Sequence, residues 1–285
     1  MKKHTLIYNL INILLLLAAA LVFFLNYSSG EIFNDTGIGY IGIITANVIL
    51  VHFLKAIRLY FALYGTNINF KDYLKTYCKV TPVSILLPFK SGELFRMYCY
   101  GIQTGEMLKG VITVILDRFI DTIALLTMII AVLAAFGGTI TPLVYILIVF
   151  VVTVFIIFAI FPGTYKHWII FLLKSDATPR RITTIKLLDK IHIVYREITL
   201  ITKGRGIILF ILSVLAWTIE IGTVSLLYKL NGGSDISGKI SEYLSSALVD
   251  TQSVELRQFI LFSVILMILI YLIVKIYDLI TVERK

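Results

Sequence analysis

VTPVSILLPFKSGELFRMYCYGIQT, residues 80–104, decides how the rest of the chain is read. The stretch is apolar enough for a bilayer, yet Pro82, Pro88 and Gly92 interrupt it, and Glu93 and Arg96 follow the interruption. A plain spanning helix does not carry these groups there. A mid-helix proline removes a backbone hydrogen bond, and a charge in hydrocarbon costs several kcal/mol.

The composition around this stretch excludes a soluble domain. Apolar residues make up 59% of the 285 and charged residues only 15%, against about 25% charged in soluble proteins. The apolar runs reach the roughly 20 residues that a helix needs to cross hydrocarbon, and they lack period-2 alternation, so the fold class is all-α, a polytopic helical membrane protein. Six full spans are expected, over residues 6–26, 38–64, 111–136, 143–161, 206–230 and 259–279. The first follows Met1-Lys2-Lys3 and resembles a signal peptide, but its apolar part is too long and has no clear small-residue cleavage site. Cys78 and Cys99 are too few and too badly spaced for a zinc site or a disulfide framework, and no metal or catalytic group is expected.

The net charge of +9 takes its meaning from its distribution. Residues 162–205 hold nine Lys and Arg, the segments 27–37 and 137–141 none, and 231–257 only Lys239 and Arg257. The positive-inside rule places the basic segment and both termini in the cytoplasm. Parity then closes only if residues 80–104 enter and leave on the cytoplasmic side, as a re-entrant helical hairpin of two half-helices meeting near 88–92. The chain is expected to be one integral membrane domain over 1–285 in the cytoplasmic membrane. Its 163–205 segment carries an amphipathic helix at 183–201, with Ile185, Leu188, Ile191, Tyr195 and Ile198 on one side. Nucleic acid is not an expected partner; membrane lipid is.

The candidate chemistry sits at the break. A helix starting near Ser91, Gly92 and Glu93 presents a partial positive end that favours an anion such as phosphate, and Arg96 lies one turn on. Asp117, Arg118 and Asp121 interrupt the first turns of the next span. His52, Lys55 and Arg58 share a broad helical face and have two readings: they snorkel to headgroups at the cytoplasmic end, or they point inward as part of an anionic-headgroup site. Glu220 and Glu255 are candidate relay carboxylates. A purely structural ion network through the same residues stays open beside the binding site.

LLPFKSGELFRMY (86–98), followed by LDRFIDTIALL (116–126) with Asp117 24 residues after Glu93, resembles the motif pair of the lysylphosphatidylglycerol synthetase transmembrane-region family. That family includes the flippase-like membrane domain of the multiple peptide resistance factor, an antibiotic-resistance protein, and many stand-alone members. Its break, Pro-x-x-x-Gly-Glu-x-x-Arg, matches Pro88, Gly92, Glu93 and Arg96, and its later helix start matches Asp117, Arg118 and Asp121. WTIEIGTVSLLYKLNG, with Trp217 and Glu220, is similar to the segment that opens the family's second half.

The resemblance implies ATP-independent translocation of an anionic or aminoacylated phospholipid, or of a polyprenyl-phosphate lipid, with no cofactor. It also raises phosphatidylglycerol lysyl transfer, expected to need a soluble C-terminal domain and so not expected of a chain ending just after its last helix. A scaffold or regulator of a membrane or cytoplasmic envelope enzyme, docked on the basic segment, is a third reading. The family usually has a second broken, Pro-Gly-Gly-rich segment ending in a glutamate. Here ISEYLSSALVDTQSVELRQ (240–258) has neither proline nor glycine, Glu255 stands in for the glutamate, and inverted repeats are expected with the second hairpin at 232–257 eroded.

Overall fold

The computed structural model describes residues 38–63, 65, 66, 68–86, 91–137, 141–174, 178–230, 233–248 and 254–282, with Leu14 and Leu21. The expected span over 6–26 otherwise lies outside the described residues. Among those described, the chain forms helices α1 (Ile38–Ala62), α2 (Phe70–Leu86), α3 (Ser91–Thr104), α4 (Met107–Phe136), α5 (Pro142–Leu173), α6 (Pro179–Thr202), α7 (Gly206–Leu230), α8 (Ile236–Leu248) and α9 (Val254–Val282). Segments within α1, α4, α5 and α7 are long and apolar enough to cross a membrane, and α9 contains a shorter apolar stretch, Gln258–Val274.

The break at 80–104 separates two helices that pack on each other, α2 and α3. Two details differ from expectation. Pro82 lies inside α2 without ending it, at the cost of the one hydrogen bond its missing N–H would have made. The first arm also begins at Phe70 rather than Val80, because the polar run 70–79 is amphipathic and buries Tyr73 and Tyr77. Asp72 in its first turn suits the positive end of the helix.

Three further corrections follow the same logic. The span expected over 143–161 continues through Pro162 and Gly163 to Leu173, with an apolar run, Trp168 to Leu173, resuming beyond the Pro-Gly pair. At 1.5 Å per residue its 32 residues reach about 48 Å, well beyond the hydrocarbon thickness. The segment 231–257, expected as a mixed loop, contains α8. Its start is capped by Asp235, whose carboxylate accepts from the Gly238 amide and the Ser237 hydroxyl at 2.9 Å each. These two donors, the amide first, hold that carboxyl below its usual range. Ile240, Tyr243 and Leu244 then bury one face. Finally, α4 starts at Met107, which sets Asp117, Arg118 and Asp121 in its third and fourth turns rather than at its beginning. The amphipathic helix of the basic segment is α6, a few residues longer than expected at its start.

The architecture centres on α1 and α7, which pack antiparallel: Arg58 meets Ser213, Lys55 meets Glu220, and Ile44 and Val48 meet Leu227. One core gathers Leu59, Tyr73, Tyr77, Val80, Phe95, Tyr100 and Met267 from α1, α2, α3 and α9. Another joins Leu125, Val151, Trp217, Ile221, Tyr243 and Leu244 from α4, α5, α7 and α8. Helix α5 stands at the edge with Ile146, Val149, Ile157 and Ile160 exposed, the apolar surface a bilayer covers.

Glycines bring α2, α3 and α4 together. A Cβ at Gly92 would meet the backbone of Val83 and come within 2.5 Å of the Ser84 Cα, and one at Gly110 would come within 2.6 Å of the Gly101 Cα. Small residues at such crossings let backbones touch. Gly110→Ala is therefore expected to lower the thermal midpoint of the detergent-solubilised protein by several degrees. Gly42→Ala and Gly163→Ala, where nothing lies within 4 Å of the new methyl, are expected to leave it unchanged or raise it, since alanine gains up to about 1 kcal/mol in a helix interior.

Candidate functional site

Helical spacing sets the site. Lys55 and Arg58 are one turn apart on α1, Glu93 and Arg96 on α3, Asp117 and Asp121 on α4, and Ser213, Trp217 and Glu220 lie along one side of α7. The packing brings these four helices and α8 to a common centre.

Arg58 is its most enclosed member, 1% exposed. Its Nε donates to Asp117 Oδ1 at 2.7 Å, and its Nη1 reaches both Asp121 Oδ1 and Ser213 Oγ. The inward reading of the α1 charges therefore describes their position, and snorkelling does not. Removal of this guanidinium would take from Asp121 and Asp117 the partner that each holds closest.

Arg96 is nearly as buried but held differently. Its Nη1 lies 3.7 Å from Glu93 Oε2 and its Nη2 3.5 Å from Asp117 Oδ2. Those two oxygens and Arg96 Nε are buried and make no hydrogen bond. Arg118 faces the same pair of acids, 3.6 Å from Glu93 Oε1 and 3.6 Å from Asp117 Oδ2, with its side chain 44% exposed. Around Arg58 the contacts are short; around Arg96 they are ion pairs beyond hydrogen-bond length. The opposite oxygen of Glu93, Oε1, takes a 2.6 Å hydrogen bond from the Ser84 hydroxyl, which ties the start of α3 to the end of α2.

A second centre lies one turn back along the same face of α1. Lys55 Nζ is 2.6 Å from Glu220 Oε1, and the Tyr243 hydroxyl donates to Glu220 Oε2 at 3.1 Å. Aromatic faces flank the ammonium, with Trp217 and Phe259 centroids 5.6 and 5.8 Å from Nζ. His52, one turn before Lys55, is buried with Nδ1 3.2 Å from the Tyr77 hydroxyl and its ring stacked over Phe259.

Of the residues singled out in the sequence, Lys55, Arg58, Glu93, Arg96, Asp117, Arg118, Asp121 and Glu220 thus fall into one charge cluster. Four are cations and four carboxylates, so the cluster is neutral when all are ionised. Gly92 acts through packing, its missing side chain admitting the α2 backbone. The Ser91 and Glu255 side chains lie outside the described residues. Ser84, Ser213 and Tyr243 were missed. A serine or tyrosine in an apolar run gives no composition signal, and only the one-turn spacing of Ser213, Trp217 and Glu220 could have found the first.

The fold and cluster define a multi-pass helical membrane protein with a broken helix pair set beside a buried ion-pair network. Within that class, the chain belongs to the lysylphosphatidylglycerol synthase transmembrane-region family, which matches residues 9–240. The match takes in all eight charged residues of the cluster and stops short of Tyr243 and α9. Comparison with curated proteins and with solved structures gives no match. Membership of this family ties the protein to the handling of membrane lipids.

Arg58→Ala is expected to cost about 3–5 kcal/mol, because it removes the bonded partner of Asp121 and the close partner of Asp117 in a buried place, and to abolish a monodisperse peak in detergent size-exclusion chromatography. Arg118→Ala at the half-exposed rim is expected to shift the thermal midpoint little.

Proposed function

We propose that the protein binds the phosphate of an anionic lipid headgroup between Arg96 and Arg118 and carries it between the leaflets of the cytoplasmic membrane without ATP. The observation that carries this reading is the contrast between the two buried arginines. Arg58 is held by short contacts to Asp117, Asp121 and Ser213, whereas Arg96 has only ion pairs of 3.5 and 3.7 Å and an unbonded Nε. A phosphate oxygen offers Arg96 the charge-assisted hydrogen bonds that its present partners do not make. Arg118 stands at the mouth of the same site and is the first contact for an arriving headgroup.

In this reading the α2–α3 pair enters and leaves the membrane from the cytoplasmic side, both termini are cytoplasmic, and the whole chain acts as one membrane domain. Acyl tails stay in the bilayer while the headgroup exchanges Glu93 and Asp117 for itself as the partner of Arg96. The basic residues of α6 form a collar that concentrates anionic lipid, at about 1 kcal/mol per base near the surface. Phosphatidylglycerol, its aminoacylated form and polyprenyl phosphates share the phosphate that this site would recognise.

Reconstitution in liposomes with a fluorescent phosphatidylglycerol tests the proposal through the rate at which outer-leaflet reductant quenches the label. Wild type should accelerate exchange over protein-free vesicles. Arg96→Ala and Glu93→Gln should each slow it at least about tenfold, the worth of a charge-assisted hydrogen bond of roughly 1.5–3 kcal/mol. Wild-type rates in variants that fold would remove Arg96 and Glu93 from the site.

A further inference from the structure

Glu220 has a surrounding unlike that of the other acids in the cluster. Its carboxylate has one partner on each oxygen, the Lys55 ammonium and the Tyr243 hydroxyl, and is 3% exposed. Behind Tyr243, on the α1–α7 seam, lies a recess of about 10 Å³ walled by Ile44, Asn47, Thr223, Leu227, Tyr243 and Phe259, about the room of one water. One acceptor among its polar side chains is unmet. Asn47 Oδ1 is buried with no hydrogen-bond partner, and Asn47 as a whole is 8% exposed. The Thr223 hydroxyl spends its hydrogen on the Ile219 carbonyl, and the Tyr243 hydroxyl spends its own on Glu220. A donor placed there, water or hydronium, would satisfy Asn47 and adjoin the tyrosine that bonds Glu220.

We propose that Glu220 is a proton-binding site, loaded from this recess through Tyr243, and that its protonation releases Lys55. A proton from bulk water reaches the recess, an O–H bond forms at Tyr243 oxygen as the tyrosine's own proton passes to Glu220 Oε2, and the carboxylate becomes a carboxylic acid. Lys55 remains an ammonium and loses its 2.6 Å carboxylate partner.

The purpose rests on the lipid reading given above. The cluster is neutral as it stands, four cations against four acids, so an anionic headgroup entering it leaves one uncompensated negative charge in a buried place. Uncompensated buried charge is strongly disfavoured, and one proton on Glu220 restores the balance. Other ionisable groups around Glu220 are few. Helix α1 presents Lys55, with His52 and Arg58 a turn to either side. Helix α4 presents Asp121, already bonded to Arg58, and α8 presents Tyr243. Described α9 residues facing this region are Gln258 and Phe259, and α6 meets α7 through apolar contacts such as Ile201 with Leu209.

The chain has two tryptophans, which supplies a direct readout. Trp168 on α5 is half exposed, whereas Trp217 is buried under the Lys55 ammonium. In a Trp168→Phe background, in detergent without added lipid, Trp217 emission should change sigmoidally with pH as Lys55 leaves the ring. Glu220→Gln should abolish the change, and Tyr243→Phe should slow its approach after a pH jump. An unaltered titration in Glu220→Gln would overturn the proposal, by assigning the transition to His52 or another group, and so would a flat titration in the folded parent. Should the Gln variant not fold, infrared difference spectra of the parent decide: a carboxylic-acid C=O band must grow with the same midpoint as the fluorescence change, and a fluorescence change without that band overturns the assignment. Because no lipid is added, failure here leaves the Arg96 headgroup site standing, and failure of leaflet exchange leaves this proton site standing.

Discussion

The buried Arg58 guanidinium is the contact on which the rest of the structure depends. An arginine with 1% exposure inside an apolar bundle is tolerable only with its charge cancelled and its N–H groups bonded. Asp117, Asp121 and Ser213 do this from two other helices, so α1, α4 and α7 must meet at one depth and in one register. Once that register is set, Asp117 is shared with Arg96 and Arg118, and Lys55 faces Glu220. Asp117 and Glu93 each serve more than one base, which is why the loose contacts of Arg96 and the tight ones of Arg58 belong to a single balance of charge.

The two antiparallel central helices give the molecule two halves of related plan. Helix α1 is followed by a broken pair, α2–α3, and then the long α4. Helix α7 is followed by the short α8 and then the long α9. In each half a short helix brings a polar group to an acid beside a central helix: Arg96 on α3 shares the α4 residue Asp117 with Arg58 of α1, and Tyr243 on α8 bonds Glu220 of α7. Among the described residues the second half has one short helix where the first has two arms, which fits the absence of proline and glycine from 240–258.

Much of this plan was legible in the sequence. Proline, glycine and a Glu-x-x-Arg pair within an apolar run have few readings, so the break between α2 and α3 and the charged residues beside it stood out. The direction of Lys55 and Arg58 did not, because a spacing of one turn suits snorkelling and inward bonding equally; only the partners on α4 and α7 decide it. The start of α2 was obscured by a polar surface face that hides the buried Tyr73 and Tyr77. Helix α8 was obscured by its serines and acids, although its Asp235 cap and the Ile240, Tyr243 and Leu244 spacing were present. The continuation of α5 past Phe161 overrode a Pro-Gly pair because one missing hydrogen bond is small beside a long apolar helix.

The glycine contacts of Gly92, Gly101 and Gly110 carry a mechanical meaning. Where backbones touch, no layer of side chains remains to act as a bearing, and helices cannot slide or rotate past one another without collision. Helices α2, α3 and α4 thus behave as one stator. That unit is pinned to α1 through Asp117 and Asp121 on Arg58, and α1 to α7 through Ser213 and Glu220, so a displacement of one central helix is felt at the charged start of α3.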